Sequence, residues 1–559
     1  MRAKLSVLFL CICILLTSFT ACGGGDTKTL RLPLSVLPSC YDPQISSGID
    51  SENIINNCFE GLVRIDSAGN IAKGVAKDWS VSSDGLTYTF KLRTDAKWFV
   101  PSGAEDVLGE DYKDTFDNRV TAHDFEFALK RAVNPDTGAP LANTLVAISG
   151  AEKILNGKAN PDSLGVTATD DYTLVIKLAK PSVSFLSVLA SPICMPCNEE
   201  FFDATAGRYG LKVGLILCNG PYYLSLFDEE SGVTLKDNEE YSGEYKPLAD
   251  VARFIFPSAL TQSKSSDEGG ETTETTTTAP KLAELIAAEE GGYDVGAVTE
   301  AESKTLEDVA EIQKYKNSLK LLCFNLASAG TNNENIRLAM IHATNVDLLR
   351  DNNPDAEGIV PSCCGLAPGV SYRASSNIIA TPQYDLSKSA ACISQALSGN
   401  DGALNLEINF VCLKEDETAV KEILQDWQKA FGVGLSVTVT SYDTQEELDA
   451  VVNRRAYDVA YTKLTASEFL AADFLNRFSS KSGTNIVSVK SATYDALLEK
   501  IYNAPDEAAL LAANKKAEEF LISGGYLLPV YECNSYLAVK TTAKGLTVRP
   551  SGTVYALYE

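Results

Sequence analysis

The sequence predicts a mixed α/β fold with several sub-domains, and three observations carry that expectation. Strand and helix signals alternate along the chain. At 559 residues and 45% hydrophobic content, the chain can bury two or three full cores. No internal repeat and no phosphate-cradling glycine loop interrupts the pattern. Residues 87–92 (TYTFKL) alternate with period two, as do residues 173–178 (TLVIKL), so each reads as a half-buried strand. Between them, Thr121 and Asp124 fit a helix N-cap with an acidic third position, and Phe125, Ala128, Leu129 and Ala132 supply the apolar stripe. A short alternating strand at 253–256 and a short helix at 282–288 follow. Residues 419–431 then place Ile423, Leu424, Trp427 and Phe431 on one face of an amphipathic helix, and a strand follows at 435–439.

The N-terminus is a sorting signal. Arg2 and Lys4 precede an apolar run at residues 5–16, and small residues lead to Thr20-Ala21-Cys22. A Cys directly after the cut resembles a lipoprotein box, so residues 1–21 are expected to be removed. Cys22 is then the lipidated residue, and residues 22–30 form a tether opening on Gly23-Gly24-Gly25. Phe19 stands where that pattern favours an aliphatic residue, and the alternative is an ordinary secretory signal near a Cys. Beyond the signal, no apolar run approaches the ~18–20 residues that span a bilayer. Either way, the working part of the chain lies outside the cytoplasm.

Composition excludes several classes. A formal net charge of −26 argues against nucleic acid, whose phosphates need a basic footprint. Only His123 and His342 are available for histidine-based metal sites or Ser-His-Asp chemistry, and no GxSxG-type elbow occurs. No cofactor, no metal and no catalysis are expected. Of the 14 cysteines, Cys194 and Cys197 have CxxC spacing, but no second CxxC or nearby His completes a zinc set. They read as a local disulfide or two free thiols, against a redox or metal role. Cys363-Cys364 is similarly ambiguous.

Two segments read as loop insertions. Residues 262–281 (QSKSSDEGGETTETTTTAPK) have no apolar residue but Ala279 and cannot bury a core, which predicts a flexible surface insert. Residues 101–118, rich in Asp, Glu and Gly, are a second elaboration.

A chain of phrases in fixed order carries a family resemblance. Asp42-Pro43 is followed by Phe59-Glu60-Gly61-Leu62 and by DWSVSSDGLTYTFKLR at 78–93. Ala96-Lys97-Trp98 and VTAHDF at 120–125 come next. Further on stand Asn219-Gly220-Pro221-Tyr222, Phe324-Asn325, Tyr384-Asp385-Leu386, Tyr457-Asp458 and LLPVY at 527–531. Together they resemble the oligopeptide/dipeptide family of substrate-binding proteins (extracellular solute-binding protein family 5) that serve ABC importers. Most of these residues report the fold: Trp79 and Trp98 are expected in the core, and Asp84-Gly85 is a turn.

The resemblance implies an α/β, two-lobed periplasmic-binding-protein-like fold of the cluster C type with an extra β-rich domain. Lobe I would comprise residues 31–62, 186–320 and 528–559, the extra domain 63–185, and lobe II 321–527. It further implies a monomer that closes on a peptide ligand, pairs main chain with main chain, and hands the ligand to permease subunits. Relatives fix the ligand's α-ammonium with an Asp shortly before a Phe-Leu-Asn triplet, present here as Phe474-Leu475-Asn476. Counting back puts Ser467 at that place, where a hydroxyl cannot balance an ammonium whose burial costs on the order of several kcal/mol unpaired. Glu468 is one residue away, and either it takes the role or the ligand lacks a free amino terminus. Leu464 and Thr465 replace the Trp and Cys of peptide-binding relatives. On the opposite lobe, Ser47, Gly48 and Ile49 occupy the ligand-contacting loop, and Cys533 falls near a ligand-facing position. Other solutes (a nickel complex, haem or an oligosaccharide) and a peptide-sensing role without transport are the alternatives.

Overall fold

A computed structural model describes residues 28–46, 48–67, 69–260, 282–351, 382–398, 404–465, 473–480, 482–483, 485–543, 545–549 and 554–557. Near the N-terminus, Leu30 and Leu32 alternate inward along β1 (Thr29–Pro33). This strand pairs in parallel with β10 (Val251–Ile255), and β9 (Gly232–Asp237) and β8 (Tyr222–Asp228) complete a four-stranded sheet. A small hairpin of β2 (Val63–Ile65) and β3 (Ile71–Lys73) leads to a separate antiparallel sheet. That sheet contains β4 (Ala76–Val81), β5 (Thr87–Leu92), β6 (Val166–Asp170) and β7 (Thr173–Lys177), in the order β4-β5-β7-β6. The two period-two segments of the sequence are β5 and β7, and they pair with each other from Thr87↔Lys177 to Lys91↔Thr173. Gly85 turns the chain between β4 and β5 at φ +71°, a conformation that favours glycine.

The third sheet joins distant parts of the chain. Its order is β11-β16-β12-β15-β13-β14, where β11 is Val295–Val298, β12 Ala310–Phe324, β13 Leu406–Leu413, β14 Leu435–Tyr442, β15 Val459–Thr465 and β16 Leu527–Lys540. β12 and β16, of 15 and 14 residues, run antiparallel through most of their length. One end of this pair meets β11 and the other meets β15, so two long strands pass from one α/β body to the other. A two-stranded ribbon, β17 (Thr547–Val548) with β18 (Val554–Tyr555), ends the described chain.

Helices cover these sheets where the sequence pattern places them. α1 (Ile49–Cys58) precedes the hairpin, and α2 (Ala122–Val133) packs on the β4–β7 sheet. Phe125, Ala128, Leu129 and Ala132 of α2 are fully buried. Its capping box is formed: the Asp124 carboxylate accepts from the Thr121 N–H at 2.6 Å and from its hydroxyl at 3.1 Å. α3 (Leu386–Leu397) starts at Asp385, whose side chain accepts from the Ser387 and Lys388 N–H groups. α4 (Glu417–Phe431) buries Val420, Ile423, Trp427 and Phe431, and the Trp427 ring lies 5.8 Å from Phe410 of β13. Its indole N–H donates to the Thr344 hydroxyl at 2.9 Å, satisfying the one polar group that burial of the ring would strand.

Two expectations need adjusting. Trp98 is fully buried, but Trp79 is only half-buried, because β4 is the edge strand of its sheet. Residues 101–118 contain two one-turn helices, Glu105–Leu108 and Tyr112–Thr115. Residues 262–281 and Cys363-Cys364 lie outside the described residues. Cys194 and Cys197 are buried free thiols, both pushed up to about 12 by burial.

Candidate functional site

The first half of the candidate site is the loop entering α1, and a buried ion pair holds it. Arg131 of α2 clamps Asp42 with both guanidinium arms at 2.6 Å, and the side chains are 8% and 4% exposed. The same guanidinium lies 4.5 Å from the Phe202 ring centre and donates to the Gln44 side-chain carbonyl. Gln44 in turn donates to the carbonyls of Ile193 and Met195 at 3.1 and 2.9 Å. The Asp42 carbonyl accepts from the Ile45 and Ser46 N–H groups, and the Ser46 hydroxyl donates to the Cys40 carbonyl at 2.7 Å. The Asp42-Pro43 phrase is therefore a staple that presents the residues after it. Gly48, at φ +98°, is the N-cap of α1, and open space lies where a Cβ would stand. Ile49 begins α1 with 38% of its surface exposed, unusual for an isoleucine at the start of a packed helix. Ser47 lies outside the described residues.

The second half is a row across three strands of the third sheet. Thr465 of β15 faces Ser318 of β12, and Ser318 faces Cys533 of β16. The Ser318 and Thr465 hydroxyls are 3.0 Å apart. Two residues selected from sequence, Thr465 and Cys533, are thus joined through Ser318, which the sequence did not single out. Arg477, just beyond the Phe-Leu-Asn triplet, donates to the Thr465 carbonyl at 2.7 Å and fixes the end of β15. Phe474, Leu475 and Asn476 are buried, so the triplet is a structural anchor. Leu464 is buried too, one residue out of register with this row and opposite Leu319. Ser467, Glu468 and Cys22 lie outside the described residues.

One step along the same face stands a charged group that sequence reasoning also missed. Lys320 of β12, buried in an otherwise apolar stretch, donates to the Asp416 carboxylate at 2.5 Å, with the two side chains 6% and 9% exposed. Its ammonium lies 4.8 Å from the Tyr461 ring centre. Burial pushes the Tyr461 hydroxyl well above its ordinary value, with Tyr531 as hydrogen-bonding neighbour. Burial likewise pushes the Cys412 thiol up to about 11, reinforced by Asp416 and Glu417. Lys463 of β15 lies directly opposite Lys320 in the ladder. It is half-buried and makes no ion pair with any described residue. A lone Lys among Leu319, Leu321 and Leu322 was the available sequence signal. Among the described residues no helix is long and apolar enough to cross a membrane, and no cluster of His, Cys, Asp or Glu could hold a metal ion.

Two α/β bodies joined by two long strands, with an added antiparallel sheet and polar groups on the joining strands, define a two-lobed solute-binding protein. Residues 70–485 match the family "Bacterial extracellular solute-binding proteins, family 5 Middle", and the chain belongs to it. The Dipeptide-binding protein DppE of Bacillus subtilis is 25% identical, over 92% of this chain and 88% of DppE. A probable deoxycholate-binding periplasmic protein, YgiS of Escherichia coli, is 25% identical, over 88% of this chain and 86% of its own. In fold, the chain is similar to Haemophilus influenzae OppA in complex with the peptide RPPGFSPFR, with a TM-score of 0.71. That similarity covers 96% of this chain and 99% of the other at 22% identity.

Proposed function

We propose that the protein captures peptides between its two lobes and delivers them to the permease of an ABC importer. The observation that carries this reading is the match to a dipeptide-binding protein along 92% of the chain. It acts as a binding protein without chemistry of its own. Cys22 tethers it, as a monomer, to the outer face of the cytoplasmic membrane. The proposed boundaries are lobe I at 31–62, 186–320 and 528–559, the extra domain at 63–185, and lobe II at 321–527. β12 and β16 serve as the crossing strands, and closure about them buries the ligand. Ser47, Gly48 and Ile49 contact ligand from one lobe. Thr465, Ser467 and Glu468 contact it from lobe II and Cys533 from the crossing strand β16, with Leu464 backing them from the core. Main-chain pairing with the ligand recognises atoms that every peptide shares, which gives broad selectivity.

A second reading, a solute without a free amino terminus, has its own support. Ser467 supplies no charge, and Lys463, two residues before Thr465 on β15, adds a cation without an ion partner among the described residues. The relative named as deoxycholate-binding fits the same reading.

Native mass spectrometry of protein purified without denaturation tests both. Retained short peptides support the first reading, and a retained non-peptide solute overturns it. Cys22→Ala tests the anchor, because a variant that still partitions with membranes excludes lipidation at this residue.

A further inference from the structure

Cys58 closes α1, and Cys218 lies on the segment that bridges to Phe99; far apart in sequence, they are side by side in the core. The backbones are locked together around them. The Gly220 N–H donates to the Cys58 carbonyl at 2.8 Å. The Asn219 side chain donates to the Glu60 carbonyl at 2.8 Å and accepts from the Glu60 N–H at 3.1 Å. A Cβ at Gly220 would lie 2.5 Å from the Cys58 carbonyl carbon, so only glycine permits this approach. The two thiols are electrostatic neighbours, each residue is 2% exposed, and both line one small void with Tyr41, Ile54, Phe59 and Leu224. Other thiols are directed elsewhere: Cys194 donates to the Val188 carbonyl at 3.4 Å, and Cys197 neighbours Tyr209 and Arg131.

We propose that Cys58 and Cys218 form a structural disulfide as the chain folds outside the cytoplasm. The family is extracellular, a setting in which disulfides persist. The oxidant is a disulfide, RSSR, borne by a protein or by glutathione. One cysteine thiolate attacks RSSR, giving a mixed disulfide and RS⁻. The second thiolate attacks the cysteine sulfur of that mixed disulfide, closing the Cys58–Cys218 bond and releasing the other RS⁻. The two cysteines lose two protons and two electrons, and RSSR becomes two thiols.

Burial sets when this happens. Once the core has closed, burial holds the Cys58 thiol well above its ordinary value, so its thiolate is scarce and no oxidant reaches it. The pair therefore oxidises before the core closes, and the folded protein keeps the state in which it folded. The bond would tie α1, whose opposite end carries Gly48 and Ile49, to the strand entering β8.

The test uses the full chain, prepared by export to an oxidising periplasm and by refolding from urea with a glutathione redox pair. Free thiols are alkylated in urea and the protein is digested without reduction. The expected result is a linked peptide pair joining Cys58 to Cys218, lost on treatment with dithiothreitol. A urea midpoint higher than that of the Cys58→Ala/Cys218→Ala variant is also expected. Alkylation of both cysteines in both preparations, or linkage of either to a different cysteine, overturns the proposal. If refolding yields no native protein, the map of the exported protein decides.

Discussion

Removing Arg131 tests whether one buried ion pair builds the loop that enters α1. In Arg131→Met the apolar part of the side chain still fills its place against Phe202, but the Asp42 carboxylate loses both of its 2.6 Å partners. Asp42 is 2% exposed, so its charge cannot recover hydration without opening the loop. Breaking a buried pair in this way costs about 3–5 kcal/mol, far more than the ~0–1 kcal/mol of a surface pair. Adding Asp42→Asn removes the stranded charge, so the double variant should recover a large part of that loss. Because Asp42, Gln44 and Ser46 share one hydrogen-bond network, the single variant should also weaken ligand capture more than the double. Urea denaturation followed by tryptophan fluorescence gives the stabilities, and a double-mutant cycle gives the coupling. An Arg131→Met protein within about 1 kcal/mol of wild type would refute the reasoning. So would a double variant no more stable than the single one.

Three further outcomes follow from the same physics. Asp416→Ala leaves the Lys320 ammonium buried opposite Lys463, a loss of about 3–5 kcal/mol that Lys320→Met should largely reverse in urea titrations. Thr121→Ala removes one side of the α2 capping box and should cost about 1 kcal/mol, measured the same way. Cys194 and Cys197, both near 12, should carry about one thiolate in 10⁴ at pH 8, against roughly one in four for an ordinary thiol. Mass spectrometry after iodoacetamide treatment at pH 8 should therefore find them unlabelled in the folded protein and labelled in urea, and rapid labelling of the folded protein would contradict their burial.

The elements most legible in the sequence were those whose physics is local. The Thr121 cap, the α2 stripe, the period-two strands β5 and β7, and the α4 face each need only a dozen residues of context. Asp42-Pro43 was legible as a phrase, but its role depends on Arg131, whose position follows only when α2 docks. The row Thr465–Ser318–Cys533 shows the same limit more sharply. Its members come from three strands that are not neighbours in sequence, and a register shift between Tyr315 and Ser318 decides which residue of β12 completes it. Period-two reasoning carries the parity of a strand, not its partner's register, so Ser318 was out of reach.

Lys320 of β12 and Lys463 of β15 give this strand pair a polarity that bears on the proposed ligand site. They face each other across an antiparallel pair, an arrangement that like charges disfavour, and among the described residues the Asp416 carboxylate pairs with Lys320 and not with Lys463. Lys463, with no ion partner among the described residues, adds a positive charge to this stretch of β15. At an effective dielectric of about 20, unit charges 4 Å apart interact by about 4 kcal/mol, enough to order ligands by the charge they bring to β15. A peptide placing its ammonium near Thr465 is opposed by Lys463 unless a carboxylate such as Glu468 intervenes, whereas a carboxylate placed there is favoured. N-acetylated peptides should therefore bind at least as well as their free-amine counterparts if Glu468 is not engaged, and markedly worse if it is. Calorimetric comparison of one such pair, in wild type and in Glu468→Gln, separates the two cases, because a preference for the free amine that survives Glu468→Gln would remove Glu468 from the site.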